Sequence, residues 1–161
     1  MNNKILILEG GFNEEHKVSL KSSKEIQKIL NKINIKYKIL RVNPKNFKNK
    51  ILKFKNYIIF NALHGPFGED GQVQKILKKN KIKFTHSNVQ SSKNCFNKFI
   101  TKKLVIKNNI LTPKFIIIKK KNINVEKLHE LKEKFIKFVL KPVKSGSSFG
   151  IVIIKNNLEF K

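Results

Sequence analysis

The chain has 161 residues, 40% of them hydrophobic, enough for one sizeable core or two small ones and too few for a large enzyme. Its 36 basic and 10 acidic residues give a formal charge of +26, yet all but one of the basic residues are Lys, the exception being Arg41. Lys, Ile and Asn make up 78 residues, and all three have adenine- and thymine-rich codons. A biased genome therefore accounts for the charge better than selection for a nucleic acid, whose readers favour the bidentate guanidinium fork. Salt-sensitive binding to polyanions is expected, a specific nucleic-acid partner is not. A lone Cys95 excludes an intramolecular disulfide and fits a reducing cytosol, and its expected role is that of a small buried apolar group. No segment approaches the roughly 20 apolar residues needed to span a bilayer. The Ile5–Leu8 run stops at Glu9, too early for a signal peptide. A soluble cytoplasmic protein without a membrane partner is the expectation.

In chain order, Lys4–Leu8 is a continuous apolar run closed by Gly10 and Gly11, the pattern of a strand covered on both faces of a parallel sheet. Val18, Ile26, Ile29, Leu30 and Ile33 fall mostly at three- and four-residue spacings, predicting an amphipathic helix. Tyr37–Val42 and Tyr57–Phe60 read as strands, Gln72–Leu77 as a helix and Ile82–Phe84 as a further short strand. This rhythm predicts an open α/β layer ending near residue 90, where Ser91 and Ser92 mark a change of unit. The second unit begins with a helix from Asn94 to about Lys107. Pro113 then forces an extended segment into Phe115–Ile118. Val125–Phe135 has helical spacing, and Ile136–Leu140 and Ile151–Ile154 are strands flanking a Gly/Ser loop. Leu158–Lys161 reads as the opening of another helix.

Three segments depart from the Lys/Ile/Asn background, and all follow strands, where ligands bind in open α/β sheets. Glu9 to Leu20 combines a glycine pair with carboxylates at a helix start; its plainer reading is an acidic first turn. His64 to Gln72 holds three glycines, a proline and the only Asp of the chain, Asp70. His64 can contact a carboxylate or phosphate, or merely cap a strand. Val139 to Gly150 places Lys141 before a Ser/Gly loop, whose amides, hydroxyls and ammonium suit a polyphosphate; the plainer reading is a β-hairpin turn. The lysine precedes the glycines and a strand follows, so this is not a Walker loop. His16, His64, His86 and His129 do not pair at metal-ligand spacings, so no metal site is expected in this chain.

Taken jointly, Gly10-Gly11…Glu15…Val18-Ser19-Leu20, His64-Gly65…Gly68-Glu69-Asp70-Gly71…Gln74 and Lys141-Pro142…Gly146-Ser147-Ser148…Gly150 resemble the N-terminal half of the D-alanine–D-alanine ligase family, within the ATP-grasp superfamily. The resemblance implies an N-terminal open parallel-sheet, Rossmann-like (pre-ATP-grasp) domain over residues 1–92 that binds D-alanine. The first part of the ATP-grasp domain would follow over residues 93–161. It implies phosphorylation of one D-alanine carboxylate by ATP and attack of a second amino group on the acyl phosphate, for peptidoglycan precursor synthesis. By position, Glu15 matches the carboxylate beside the substrate ammonium, hydrogen-bonded to Ser147. His64 matches the residue near the carboxylate of the first D-alanine. Lys98 and Lys141 match the lysines on the ATP phosphates, with Gly146 and Ser148 in the flexible loop over them.

The chain departs from the family's pattern at Asn13 (commonly Ser), His16 (commonly Arg), Asn97 (Asp) and Phe149 (aliphatic). Family members are about twice as long, so the chain is expected to be a truncated N-terminal portion, inactive alone. The Mg²⁺ ligands would lie in a complementary C-terminal half, the natural partner alongside a family-like homodimer. The competing expectation is a non-catalytic split or degraded fragment that still binds ligands.

Overall fold

The structure, a computed structural model, describes residues 4–155. The helix expected over Leu158–Lys161 lies outside them. Three parallel strands form the first layer: β1 (Lys4–Gly10) in the centre, β2 (Tyr37–Val42) on one side and β3 (Tyr57–Asn61) on the other. In register, Glu9 faces Arg41 and Leu8 faces Asn61. The α/β class and parallel sheet expected from the sequence are present. The continuous apolar run of β1 is explained by burial on both faces. Leu6 and Leu8 enter a cluster with Val42, Phe47, Ile51, Ile59, Leu63, Val73, Leu77 and Ile82, while Ile7 points the other way and is equally buried.

Helix α1 (His16–Lys32) packs on β1. The residues it buries are Ser19 and Ser23, and Ile29 and Ile33 remain exposed. The apolar stripe expected to face the sheet is thus buried only in part, because two small residues let the helix backbone come close. A short helix α2 (Phe47–Ile51), continued by a 3₁₀ turn over Leu52–Phe54, had no periodicity to announce it. It seats Phe47 edge-on against Phe67, ring centroids 5.4 Å apart. Helix α3 (Gln72–Lys79) follows the second loop. The strand expected at Ile82–Phe84 reduces to a single parallel bridge between Phe84 and Ile59.

The single helix expected from Asn94 is two. Helix α4 (Val89–Phe96) contains Ser91 and Ser92, and α5 (Lys98–Lys107) follows. Asn97 separates them in an extended conformation, and its side chain accepts hydrogen bonds from the N–H groups of Phe99 and Ile100, an N-cap that restarts the helix. Phe115–Ile118 forms no strand among the described residues. Helix α6 (Val125–Phe135) precedes β4 (Phe138–Leu140), which pairs antiparallel with β5 (Val152–Ile154). Leu131 and Ile154 are buried in this part, whereas Leu111, Ile136, Val139 and Ile153 are exposed. Among the described residues, no helix is long and apolar enough to cross a membrane.

Candidate functional site

The three unusual segments converge on one cleft. The carboxyl end of β1 leads into the first loop, where Gly10 and Gly11 adopt positive φ and deliver Glu15 to the start of α1. Ser19 ties this corner together: its Oγ accepts the N–H of Gly10 at 2.8 Å and donates to the carbonyl of Ala62, just beyond β3, at 2.7 Å. Asn13 joins the first loop to the second. Its Nδ2 donates to the carbonyls of His64 (3.0 Å) and Pro66 (3.1 Å), and its Oδ1 accepts the N–H of Glu15 at 2.8 Å.

The second loop is stitched internally. Asn61 and Gln74 both donate to the carbonyl of Gly68 at 2.9 Å. Asp70 accepts the N–H groups of Phe67 and Gln72, and Glu69 Oε2 accepts that of Gly65 at 2.8 Å. His64 lies within this frame, its Nε2 2.9 Å from Ser22 Oγ and its Nδ1 3.7 Å from Glu69 Oε1.

Glu15 is only 2% exposed, and its Oε1 has no hydrogen-bond partner. Two glycines make room for the carboxylate. A β-carbon on Gly65 would stand 2.2 Å from Oε2, and one on Gly146 would stand 2.9 Å from Oε1. The first, second and third segments therefore meet at one carboxylate. A buried anion without a partner is costly unless a cation or donor completes it.

Across the cleft, Lys98 heads α5 and donates to the carbonyl of Ser145, while its N–H bonds the carbonyl of Val143 at 3.0 Å. Burial lowers the pKa of Lys98 first and the nearby charge of Lys141 lowers it further; Glu15 acts in the opposite direction. Two ammonium groups that repel each other beside a loop of free backbone amides favour an anion between them. That loop is strained: Ser147 and Ser148 are consecutive non-glycine residues at positive φ, followed by Gly150 at +67°. Ser147, Ser148 and Lys141 are all exposed. Lys98, Ser145, Gly146, His64, Glu69 and His86 line a cavity of about 590 Å³ between the two parts of the chain.

No protein-family profile matches the chain. It is 47% identical over 156 residues to a D-alanine–D-alanine ligase of Pelagibacter ubique, covering 95% of this chain and 50% of that protein. The crystal structure of a D-alanine–D-alanine ligase from Bacillus anthracis superposes with a TM-score of 0.75 at 33% identity, covering 98% of this chain and 51% of that one. A structure of the Bacillus anthracis enzyme complexed with ATP gives a TM-score of 0.72 at 29% identity, with 98% and 52% covered. The chain is a homologue of the N-terminal half of the D-alanine–D-alanine ligases. It spans about half the length of the curated relatives it matches.

Against this homology, the departures at Asn13 and His16 have local explanations, and nothing in the structure explains Phe149. Asn13 offers two donor hydrogens and an acceptor where Ser has one donor, and all three are used. His16 closes the first turn, its Nδ1 2.7 Å from the carbonyl of Gly11. The hydrogen bond implied between Glu15 and Ser147 is not formed; Gly146 is the loop residue against the carboxylate. Cys95, expected to be buried, is exposed on the cleft side of α4. Its helix faces the cavity rather than the sheet core, so no apolar surface closes over the thiol. Four contributors escaped the sequence reading: Asn13 as a clamp, Ser19 as a corner tie, Ser22 as the partner of His64, and His86 as a wall of the cleft. Ser19 and Asn13 had a signal, their places in the first motif, whereas Ser22 and His86 had none.

Proposed function

We propose that this chain carries the D-alanine-binding face and part of the ATP-phosphate site of a D-alanine–D-alanine ligase, divided into units at residues 1–92 and 93–161. The observation that carries the reading is the Glu15 carboxylate, buried with an unpartnered Oε1 at the meeting point of all three segments. Oε1 receives the ammonium of the first D-alanine, a charge-assisted bond that removes the cost of the buried anion. His64, held by Ser22, lies at the substrate carboxylate. Lys98, Lys141 and the amides and hydroxyls of Gly146, Ser147 and Ser148 hold phosphate oxygens where negative charge develops, and closure of the strained loop excludes water. ATP supplies the phosphoryl group that activates one carboxylate for attack by the second amino group.

The residues on the phosphate side are ammonium groups, hydroxyls and amides, not the hard anionic oxygens that Mg²⁺ takes, so they do not make a Mg²⁺ site. The chain alone is therefore expected to show no turnover. The exposed side chains of Leu111, Ile136, Val139 and Ile153 offer apolar surface to a complementary half.

The test joins the chain to the remaining half of the Pelagibacter relative. In that protein Glu15→Gln should raise the apparent Michaelis constant for D-alanine on the order of tenfold or more, and Lys141→Ala that for ATP. Unchanged D-alanine kinetics in Glu15→Gln would overturn the assignment of the first segment.

A further inference from the structure

Spacing in the sequence predicts no metal ligands, because donors from separate loops need no common period. The fold nevertheless gathers one ligand atom each from Glu15, His64 and Glu69 within 4.8 Å of one another. We propose that this cluster binds a zinc-class divalent cation, which competes with the amino group of the substrate at Glu15; the competition rests on the reading of Glu15 given above.

Each member is held through one atom and offers another. Ser22 engages Nε2 of His64, which leaves Nδ1 facing Glu69. The backbone N–H of Gly65 engages Oε2 of Glu69, which leaves Oε1 facing His64 at 3.7 Å. Anchors of this kind orient metal ligands and fix the imidazole tautomer. Bonds of about 2.1 Å in a tetrahedron place ligand atoms roughly 3.4 Å apart, so a small rotation of Glu69 brings the pair to ligand distance. The Glu15 carboxylate supplies the independent pointer: it is 2% exposed, its Oε1 lacks any hydrogen-bond partner, and it contributes one oxygen to this group.

One imidazole and two carboxylates suit Zn²⁺, Co²⁺ or Ni²⁺ better than Mg²⁺ or Ca²⁺. Three protein ligands leave a fourth position, open to the cleft. The ammonium of Lys98 donates to the carbonyl of Ser145, and Glu15 acts on it only through space. The small ammonium of an amino acid and a metal dication would seek the same buried carboxylate, and one charge offsets it.

The experiment uses the chain as it stands, with Zn²⁺ in equilibrium dialysis and Co²⁺ as a spectroscopic probe. One equivalent of metal and the visible bands of four-coordinate Co²⁺ are expected. His64→Asn and Glu69→Gln should each weaken binding at least tenfold, Cys95→Ser should leave it unchanged, and D-alanine should raise the apparent dissociation constant. Absence of the Co²⁺ bands in the unsubstituted chain overturns the site without recourse to any variant. Equal affinity in His64→Asn and Glu69→Gln overturns it too. Binding that depends on His64 and Glu69 but ignores D-alanine leaves the metal site standing and overturns the placement of the amino group at Glu15.

Discussion

Gly65 and Glu15 exclude each other's growth: a β-carbon at position 65 would stand 2.2 Å from Oε2 of Glu15, and Gly65 itself sits at φ +70°. Two loops far apart in sequence thereby share one void, and the carboxylate can be buried only while position 65 has no side chain. Gly65→Ala should cost about 1–3 kcal/mol of stability, through backbone strain and displacement of the carboxylate. Urea unfolding measures it. A change below about 0.5 kcal/mol would mean the carboxylate is free to move away.

Asn13 links the same two loops through its amide. Asn13→Ala removes all three hydrogen bonds and should destabilise by about 1–3 kcal/mol, with Asn13→Ser recovering only part. Hydrogen exchange at the backbone N–H of Glu15, which loses its acceptor, should quicken in Asn13→Ala. Unaltered exchange there would show that the clamp does not hold the carboxylate's backbone.

Arg41 is the only Arg of the chain, and it donates through Nε and Nη2 to Oε1 of Glu9, at 3.3 and 2.9 Å. Glu9 is 6% exposed whereas the guanidinium is mostly in solvent. Arg41→Ala leaves a buried carboxylate unpaired and should cost about 1–2 kcal/mol, less than a fully buried pair because water reaches one partner. Denaturation at low and high salt checks it: a loss that vanishes in Glu9→Gln, but persists in Glu9 protein at both salts, is the expected pattern.

His86 rests against Phe84, ring centroids 4.8 Å apart, with both ring nitrogens buried and unpartnered. Burial lowers its pKa from the ordinary 6.5. The unfolded chain therefore takes up this proton before the folded one does. Stability from His86 is complete above about pH 6.5 and is lost as pH falls through the lowered folded value. His86→Phe should flatten the dependence of unfolding free energy on pH between about 7.5 and 5. Identical slopes for the two proteins would refute it.

The charge of +26 carried almost wholly by Lys should give weak, sequence-blind nucleic-acid binding that moderate salt abolishes. Fluorescence anisotropy with unrelated oligonucleotides across a salt series tests this. A tight, selective complex that survives salt would show a dedicated interface.

The sequence by itself determined the parallel α/β layer, because β1 is a continuous apolar run, and it determined α6 of the second part, whose apolar residues keep helical spacing over Val125–Phe135. It also singled out the three segments that meet at Glu15, since glycines, Glu15 and His64 interrupt a monotonous Lys/Ile/Asn background. Local pattern could not supply what depends on approach between distant segments. Whether Asn97 breaks a helix was decided by capping, whether Ile29 or Ser19 faces the sheet by how closely α1 packs, and whether Cys95 is covered by which side of α4 meets the cleft. The void around Glu15 is of the same kind. Its walls are two glycines, Gly65 and Gly146, on separate loops, and an absent side chain leaves no periodicity to read until tertiary contact makes the absence matter.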